Sequence, residues 1–141
     1  MNLPTAVRIC FSKYATFSGR ASRPEYWWFV LFTLIGFVLL SAIETRFLGY
    51  GTVSHGEGAW AWQSNGGPLS ALFGLGILLP SLAVAVRRLH DSGKSGWWLL
   101  IQLVPLIGAL VLLYHFVQPS QVGPNRFGAA PRRAPPPPPL P

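Results

Sequence analysis

The chain has 141 residues, of which half are hydrophobic and only 11% charged, with a formal net charge of +7 and a mean hydropathy of +0.38. Soluble domains average roughly 25% charged residues, so this composition argues against a soluble domain and for a chain whose solvent is largely lipid. In a soluble protein the excess of cations would suggest nucleic acid. Here the cations flank apolar blocks, where they set topology and meet anionic headgroups, and nucleic acid is not an expected partner.

A single cysteine, Cys10, leaves no intramolecular disulfide and no multi-cysteine metal site. Within residues 7–17, Val7, Cys10, Phe11, Tyr14 and Phe17 recur at helical spacing, with Arg8, Ser12, Lys13 and Thr16 elsewhere on the wheel. That pattern predicts a short amphipathic helix, lying on the membrane surface or packed against the rest of the protein. The first long apolar block begins well into the chain and no small-x-small cleavage site follows it. It therefore reads as part of the mature protein and not as a cleaved signal.

Ser22-Arg23-Pro24-Glu25 reads as a helix start, with Ser22 as cap, Pro24 in the first turn and Glu25 as capping-box partner. Tyr26, Trp27 and Trp28 form an aromatic belt, and the apolar run then continues to about Ile43, before Glu44 and Arg46. About 18 helical residues span roughly 27 Å, close to the hydrocarbon thickness. Residues 26–43 are the first expected span.

Residues 47–67 hold six glycines and read as a loop. The second apolar block, residues 68–86, carries the small-residue pairs Ser70 with Gly74 and Ser81 with Ala85, which suit close helix approach, and Pro80, which predicts a kink. The third, residues 97–117, contains Gln102, Pro105 and Gly108 and is also long enough to span. From Gln118 the composition turns to Pro, Gly, Ala and Arg, ending in Pro135–Pro139. The predicted organisation is a membrane domain over residues 1–122 and an extended, disordered tail over 123–141.

Arg8, Lys13, Arg20 and Arg23 precede the first span, and Arg87, Arg88 and Lys94 lie between the second and third, whereas the first loop offers only Arg46. The positive-inside rule then puts the amino terminus and the Arg87 loop in the cytoplasm. Three full spans would leave the tail outside, at odds with Arg126, Arg132 and Arg133. A re-entrant third block bent at Pro105 and Gly108 is the alternative, and three full spans are the reading adopted from sequence.

Few residues suggest chemistry. Ser92-Gly93-Lys94-Ser95 resembles the end of a phosphate-binding loop, but the required first glycine would fall at Arg88 and no strand precedes it. His90 and Asp91 are sequence neighbours, which on a helix point about 100° apart, so they form no proton-transfer pair by adjacency alone. His55-Gly56-Glu57 is weaker still. No Asp, Glu, Lys or Arg falls inside an expected span, which disfavours coupled transport. Gln102 suits a bond between packed helices, or the lining of an oligomeric pore. The spacing Arg132-x-x-Pro135-x-x-Pro138 fits a polyproline ligand, which a run of five prolines generates easily. Acidic partners for the cations are available on the expected cytoplasmic side, with Glu25 near Arg87 and Arg88, and Asp91 near Arg20 and Arg23.

Three separated runs, FSGRASRPEYWWF from Phe17, LLPSLAVAVRRLHDSGKSGWWLL from Leu78 and GPNRFG from Gly123, together resemble the bacterial inner-membrane family called domain of unknown function 805. The resemblance covers about residues 11–128 and falls on Gly19, Arg20, Arg23, Glu25, Tyr26, Trp27, Arg87 to Asp91, Gly93, Ser95, Trp97, Trp98, Asn125, Arg126 and Gly128. It implies a small multi-pass inner-membrane protein of unknown activity and supplies no catalytic residue. The longer glycine-rich first loop and the polyproline end depart from the family pattern.

The sequence thus predicts an all-α bundle of three transmembrane helices plus a short amphipathic helix. It is expected to be a structural or regulatory interaction protein rather than an enzyme, without cofactor or metal. Its expected binding residues are Arg20, Arg23, Glu25, Arg87, Arg88, His90, Asp91, Trp97, Trp98, Asn125 and Arg126, facing anionic lipid headgroups, a membrane protein partner or a second copy of the chain. An oligomeric pore or transporter is the alternative.

Overall fold

The computed structural model describes residues 1–56 and 59–131, so Glu57 and the polyproline segment with Arg132 and Arg133 lie outside the described residues. The chain forms two compact units, Met1–Thr16 with Pro24–Ala83 and Phe17–Arg23 with Val84–Pro141.

In the first unit, α1 runs over Leu3–Ser12, earlier than the apolar spacing predicted. The local chemistry explains the shift: Asn2 accepts a hydrogen bond from the Thr5 amide, and Pro4 sits where its missing N–H is not needed. Tyr14, expected inside the helix, lies in the turn beyond it, and its hydroxyl donates to the Gly76 carbonyl at 2.5 Å. Phe11 meets Phe29 and Phe32 edge-on at 6.0 and 6.1 Å, so α1 packs against the next helix through its aromatic face.

Helices α2, Arg23–Phe47, and α3, Pro68–Asp91, are both long and apolar enough to cross a membrane. Phe73 packs on Phe37 at 5.2 Å and on Phe32 at 6.1 Å. Gly36 makes room for this, since a Cβ there would stand 2.4 Å from the Phe73 ring. Leu34, Leu39, Leu72 and Leu75 remain more than half exposed, an expensive arrangement in water and an ordinary one in lipid.

The loop expected between them contains an antiparallel hairpin, β1 over Gly51–Gly56 and β2 over Ala59–Ser64, with Val53 opposite Trp62. The strict alternation Ala59-Trp60-Ala61-Trp62 is a strand pattern that the glycine content masked, and the fold is helical with one β-hairpin rather than all-α. Below it, Glu44 closes the start of α3. Its carboxylate accepts from the amides of Gly67 at 3.2 Å, Leu69 at 2.5 Å and Ser70 at 3.0 Å, and from the Ser70 hydroxyl. These are the donors that a helix N-terminus leaves without intrahelical partners.

The third apolar block, in the second unit, is not one helix. A 3-10 helix runs over Gly96–Leu103, the chain turns through Val104, Pro105 and Leu106, and α4 follows over Ile107–Val117. Each limb is about 16 Å long, half a hydrocarbon core. Val104 is extended, as a residue before proline prefers, and Leu106 adopts a positive φ of 65°. Gly108 allows the limbs to meet, because a Cβ there would lie 1.9 Å from the Ile101 carbonyl oxygen. A single spanning helix over 97–117 is therefore replaced by a tight hairpin.

Candidate functional site

The second unit gathers most of the expected binding residues, and it buries four of the charged ones. Arg20, Arg87, Arg88 and Asp91 are all buried. Asp91 is the hub: Oδ1 accepts from Arg20 Nε at 3.0 Å and pairs with its Nη2 at 3.0 Å, while Oδ2 accepts from Arg88 Nη1 at 2.7 Å and from the Ser120 hydroxyl at 2.5 Å. The pairing expected of Asp91 with Arg20 is present. Arg23, its other expected partner, donates instead to the Gln118 carbonyl at 2.8 Å.

The same guanidinium groups bind backbone. Arg20 donates to the carbonyls of Gly123 and Gln121, both at 2.6 Å. Arg88 donates to the Phe116 carbonyl at 3.1 Å and to the Gln118 carbonyl. Phe116 lies in the last turn of α4, where carbonyls lack intrahelical partners and the helix dipole favours a cation. Three arginines, Arg20 just before α2, Arg23 at its first residue and Arg88 near the end of α3, thus clamp the stretch of chain that leaves α4. The Gln121 amide adds a bond to the Asp91 carbonyl at 3.1 Å.

Beyond the clamp, residues 123–128 fold back on the end of α3. Asn125 and Gly128 form an isolated bridge, and Asn125 Nδ2 donates to the His90 carbonyl and to Gln121 Oε1, both at 2.9 Å. Phe127 stacks on the His90 ring, centroids 3.9 Å apart and 2° from parallel. Arg126 covers the outer face of Phe127 at 4.7 Å and reaches the Gly93 carbonyl at 3.4 Å. Asn125 and Arg126, which a hydropathy reading assigns to a free tail, therefore have specific partners.

The Ser92–Ser95 run ends a helix rather than cradling a phosphate. The Lys94 amide donates to the Leu89 carbonyl at 2.9 Å and the Gly93 amide to His90 at 3.0 Å, with Gly93 at φ 76°. This pairing is the Schellman ending of α3, for which glycine is the favoured residue. Ser95 then accepts from the Trp97 amide and starts the 3-10 helix.

His90 and Asp91 are not brought together as a reacting pair. His90 Nδ1 faces the Gly19 carbonyl at 3.1 Å, whereas both Asp91 oxygens are occupied by Arg20, Arg88 and Ser120. His90 lies beyond the apolar stretch 68–86, and burial holds its pKa below the ordinary imidazole value. The Gly19 carbonyl opposes this shift and the Arg126 charge adds to it. No cluster of three or more His, Cys, Asp or Glu able to hold a metal occurs among the described residues.

The aromatic rim is as exposed as the sequence suggested. Trp97 is 78% exposed, and Trp98 stands under the Lys94 ammonium at 5.4 Å and edge-on to His115 at 5.1 Å. Glu25, in the first unit, is buried. The expected open basic surface is corrected by these positions: Arg20, Arg87 and Arg88 are interior groups, and among the described residues the cations left at the surface are Arg8, Lys13, Arg23, Arg46 and Arg126, with Lys94 half-buried. Sequence reasoning did not single out Ser120, Gln121 or Phe127; Phe127 was signalled by its place inside the GPNRFG run, and Ser120 and Gln121 only by their closeness to it.

Residues 14–129 match the family described as protein of unknown function (DUF805). The chain belongs to the DUF805 family. It is 38% identical over 124 residues to Inner membrane protein YhaH of Escherichia coli strain K12, covering 86% of this chain and 92% of that protein. It is 40% identical over 119 residues to Inner membrane protein YhaI of the same strain, covering 84% and 88% respectively. No solved structure matches. In this DUF805 chain the three runs that carry the resemblance meet at the arginine clamp: Arg20 and Arg23 come from the first, Arg88 and Asp91 from the second, and the third supplies the Gly123 carbonyl that Arg20 binds, with Asn125 and Arg126 just beyond it.

Proposed function

We propose that this chain is an integral inner-membrane protein in which α2 and α3 span the bilayer and the third apolar block is a re-entrant hairpin. Its amino terminus, the Arg87–Trp98 loop and residues 118–131 share the cytoplasmic side. On that side it acts as a structural or regulatory interaction protein, with its remaining surface cations held against anionic lipid headgroups.

One observation carries the reading. The contacts of Arg20, Arg23 and Arg88 with the Phe116, Gln118, Gln121 and Gly123 carbonyls hold the exit of the third block beside its entrance. A block that enters and leaves at one end, with limbs of about 16 Å, turns back near mid-bilayer. This arrangement also brings Arg126 to the side that the positive-inside rule prefers for Arg87 and Lys94. The names of the relatives support an inner-membrane location. The pairing of half-buried Lys94 with Trp98 and the exposed Trp97 suit a headgroup boundary.

Reporters fused after Gly128 test the topology: a cytoplasm-dependent fluorescent reporter should be active, and an export-dependent phosphatase inactive. The reverse pattern would restore three full spans. Lipid recognition is tested by vesicle co-sedimentation, with stronger binding expected to anionic than to zwitterionic bilayers and a loss of that preference in the Lys94→Gln/Arg126→Gln double variant. Equal binding to both lipids, with capture of a membrane protein instead, would move the surface from lipid to protein recognition.

A further inference from the structure

The hairpin carries one polar side chain in an apolar setting. Gln102 lies one residue before the end of the 3-10 limb, next to Leu103, which is 80% exposed, and close to Leu106, which is 75% exposed. Gln102 is itself exposed. A glutamine amide offers two donors and an acceptor oxygen, and among the described residues no hydrogen bond reaches it. Gly108 shows where the amide does not go: α4 crowds the backbone side of Gln102, its Gly108 Cβ direction meeting the Gln102 Cα at 2.9 Å. The side chain is left on the outer surface of the hairpin.

On the re-entrant reading, Gln102 lies about 10 Å below Trp97 at the headgroup boundary, since the 3-10 helix rises about 2 Å per residue, and so inside a hydrocarbon core about 30 Å thick. There neither water nor headgroups satisfy an amide, and an unpaired one is strongly unfavourable. The group that completes it is another amide at the same depth. A glutamine is self-complementary: across a two-fold axis each amide donates to the other's carbonyl, which is the geometry of an isologous interface. Apolar exposure at Leu100, Leu103 and Leu110 supplies packing around that pair.

We infer that Gln102 is the centre of a homodimer interface within the membrane, pairing with Gln102 of a second copy through reciprocal side-chain hydrogen bonds. This rests on the re-entrant reading, and the test separates the two. In nanodiscs, full-length protein labelled with donor and acceptor dyes on a Cys10→Ser background is diluted in lipid, and energy transfer is followed. Gln102→Leu should raise the dimer dissociation constant about 5- to 30-fold, as expected for loss of membrane hydrogen bonds, while Gln102→Asn should retain much of the affinity. Gln102→Cys on the same background should cross-link to itself on mild oxidation.

Accessibility of Val104→Cys to a membrane-impermeant maleimide reports the embedding. Protection of Val104→Cys together with a monomeric wild-type protein, or with a Gln102→Leu variant that dimerises as well as wild type, overturns the interface alone. Rapid labelling of Val104→Cys overturns both the embedding and the interface.

Discussion

Arg20 and Asp91 form an ion pair with Nη2 to Oδ1 at 3.0 Å and no solvent exposure of either side chain, although 71 residues separate them in sequence. Surface pairs contribute little. A buried pair is different, because removing one partner leaves a desolvated charge. Asp91 balances Arg20 and Arg88 together, so its loss is the more damaging one. Asp91→Ala should destabilise the protein by about 3–5 kcal/mol and lower its thermal midpoint in detergent. Arg20→Met, which leaves Asp91 paired with Arg88 and Ser120, should cost less. Equal midpoints for wild type and Asp91→Ala would show that the clamp is not holding the fold.

Gly108 and Gly76 make opposite predictions from the same substitution. At Gly108 an added Cβ would stand 1.9 Å from a backbone oxygen, whereas at Gly76 it meets nothing within 4 Å. Gly108→Ala should therefore open the hairpin and cost roughly 3 kcal/mol, at the upper end of overpacking effects. Gly76→Ala lies inside α3 and should stabilise by about 1 kcal/mol through helix propensity. Chemical unfolding of the two variants checks the contrast, and a Gly108→Ala variant as stable as wild type would contradict the close approach.

The two long apolar helices were legible because a long apolar run between charges has few alternatives, and Asp91 with Arg20 was legible as two opposite charges on one expected side. The third block was harder because hydropathy measures how apolar a segment is, and not whether its hydrogen bonds run to the third or the fourth residue. Pro105 and Gly108 marked the bend. The β-hairpin was hidden by glycines that count as loop formers while Ala59-Trp60-Ala61-Trp62 alternates as a strand. Burial of Arg88 had no sequence signal at all: a cation beside an apolar helix looks like a headgroup anchor until the carbonyls that it binds are placed next to it.

Glu44 offers a test at the start of α3. Its carboxylate serves three amides and one hydroxyl, and a charge there also complements the helix dipole. Glu44→Ala should lower the thermal midpoint and speed hydrogen exchange at the amides of Leu69 and Ser70. Glu44→Gln keeps an acceptor but loses the charge and should fall between. Ser70→Ala, which removes one of the four bonds, should be the mildest. An order other than Ala, Gln, Ser70→Ala in decreasing severity would indicate that packing, not capping, dominates at this corner.

His90 connects the fold to pH. Burial places its folded pKa below the ordinary value of about 6.5, against the Gly19 carbonyl and with help from Arg126. The folded protein consequently binds fewer protons at this site than the unfolded chain, so stability contributed here is present above the unfolded pKa and declines as pH falls through it toward the folded value. The thermal midpoint should drop between pH 7 and pH 5. His90→Phe keeps an aromatic ring to stack on Phe127 and removes the titration, so its midpoint should fall less over the same range. Arg126→Gln removes one of the groups that disfavour the imidazolium and should also flatten the dependence. Parallel pH profiles for wild type and both variants would assign the acid sensitivity to other groups.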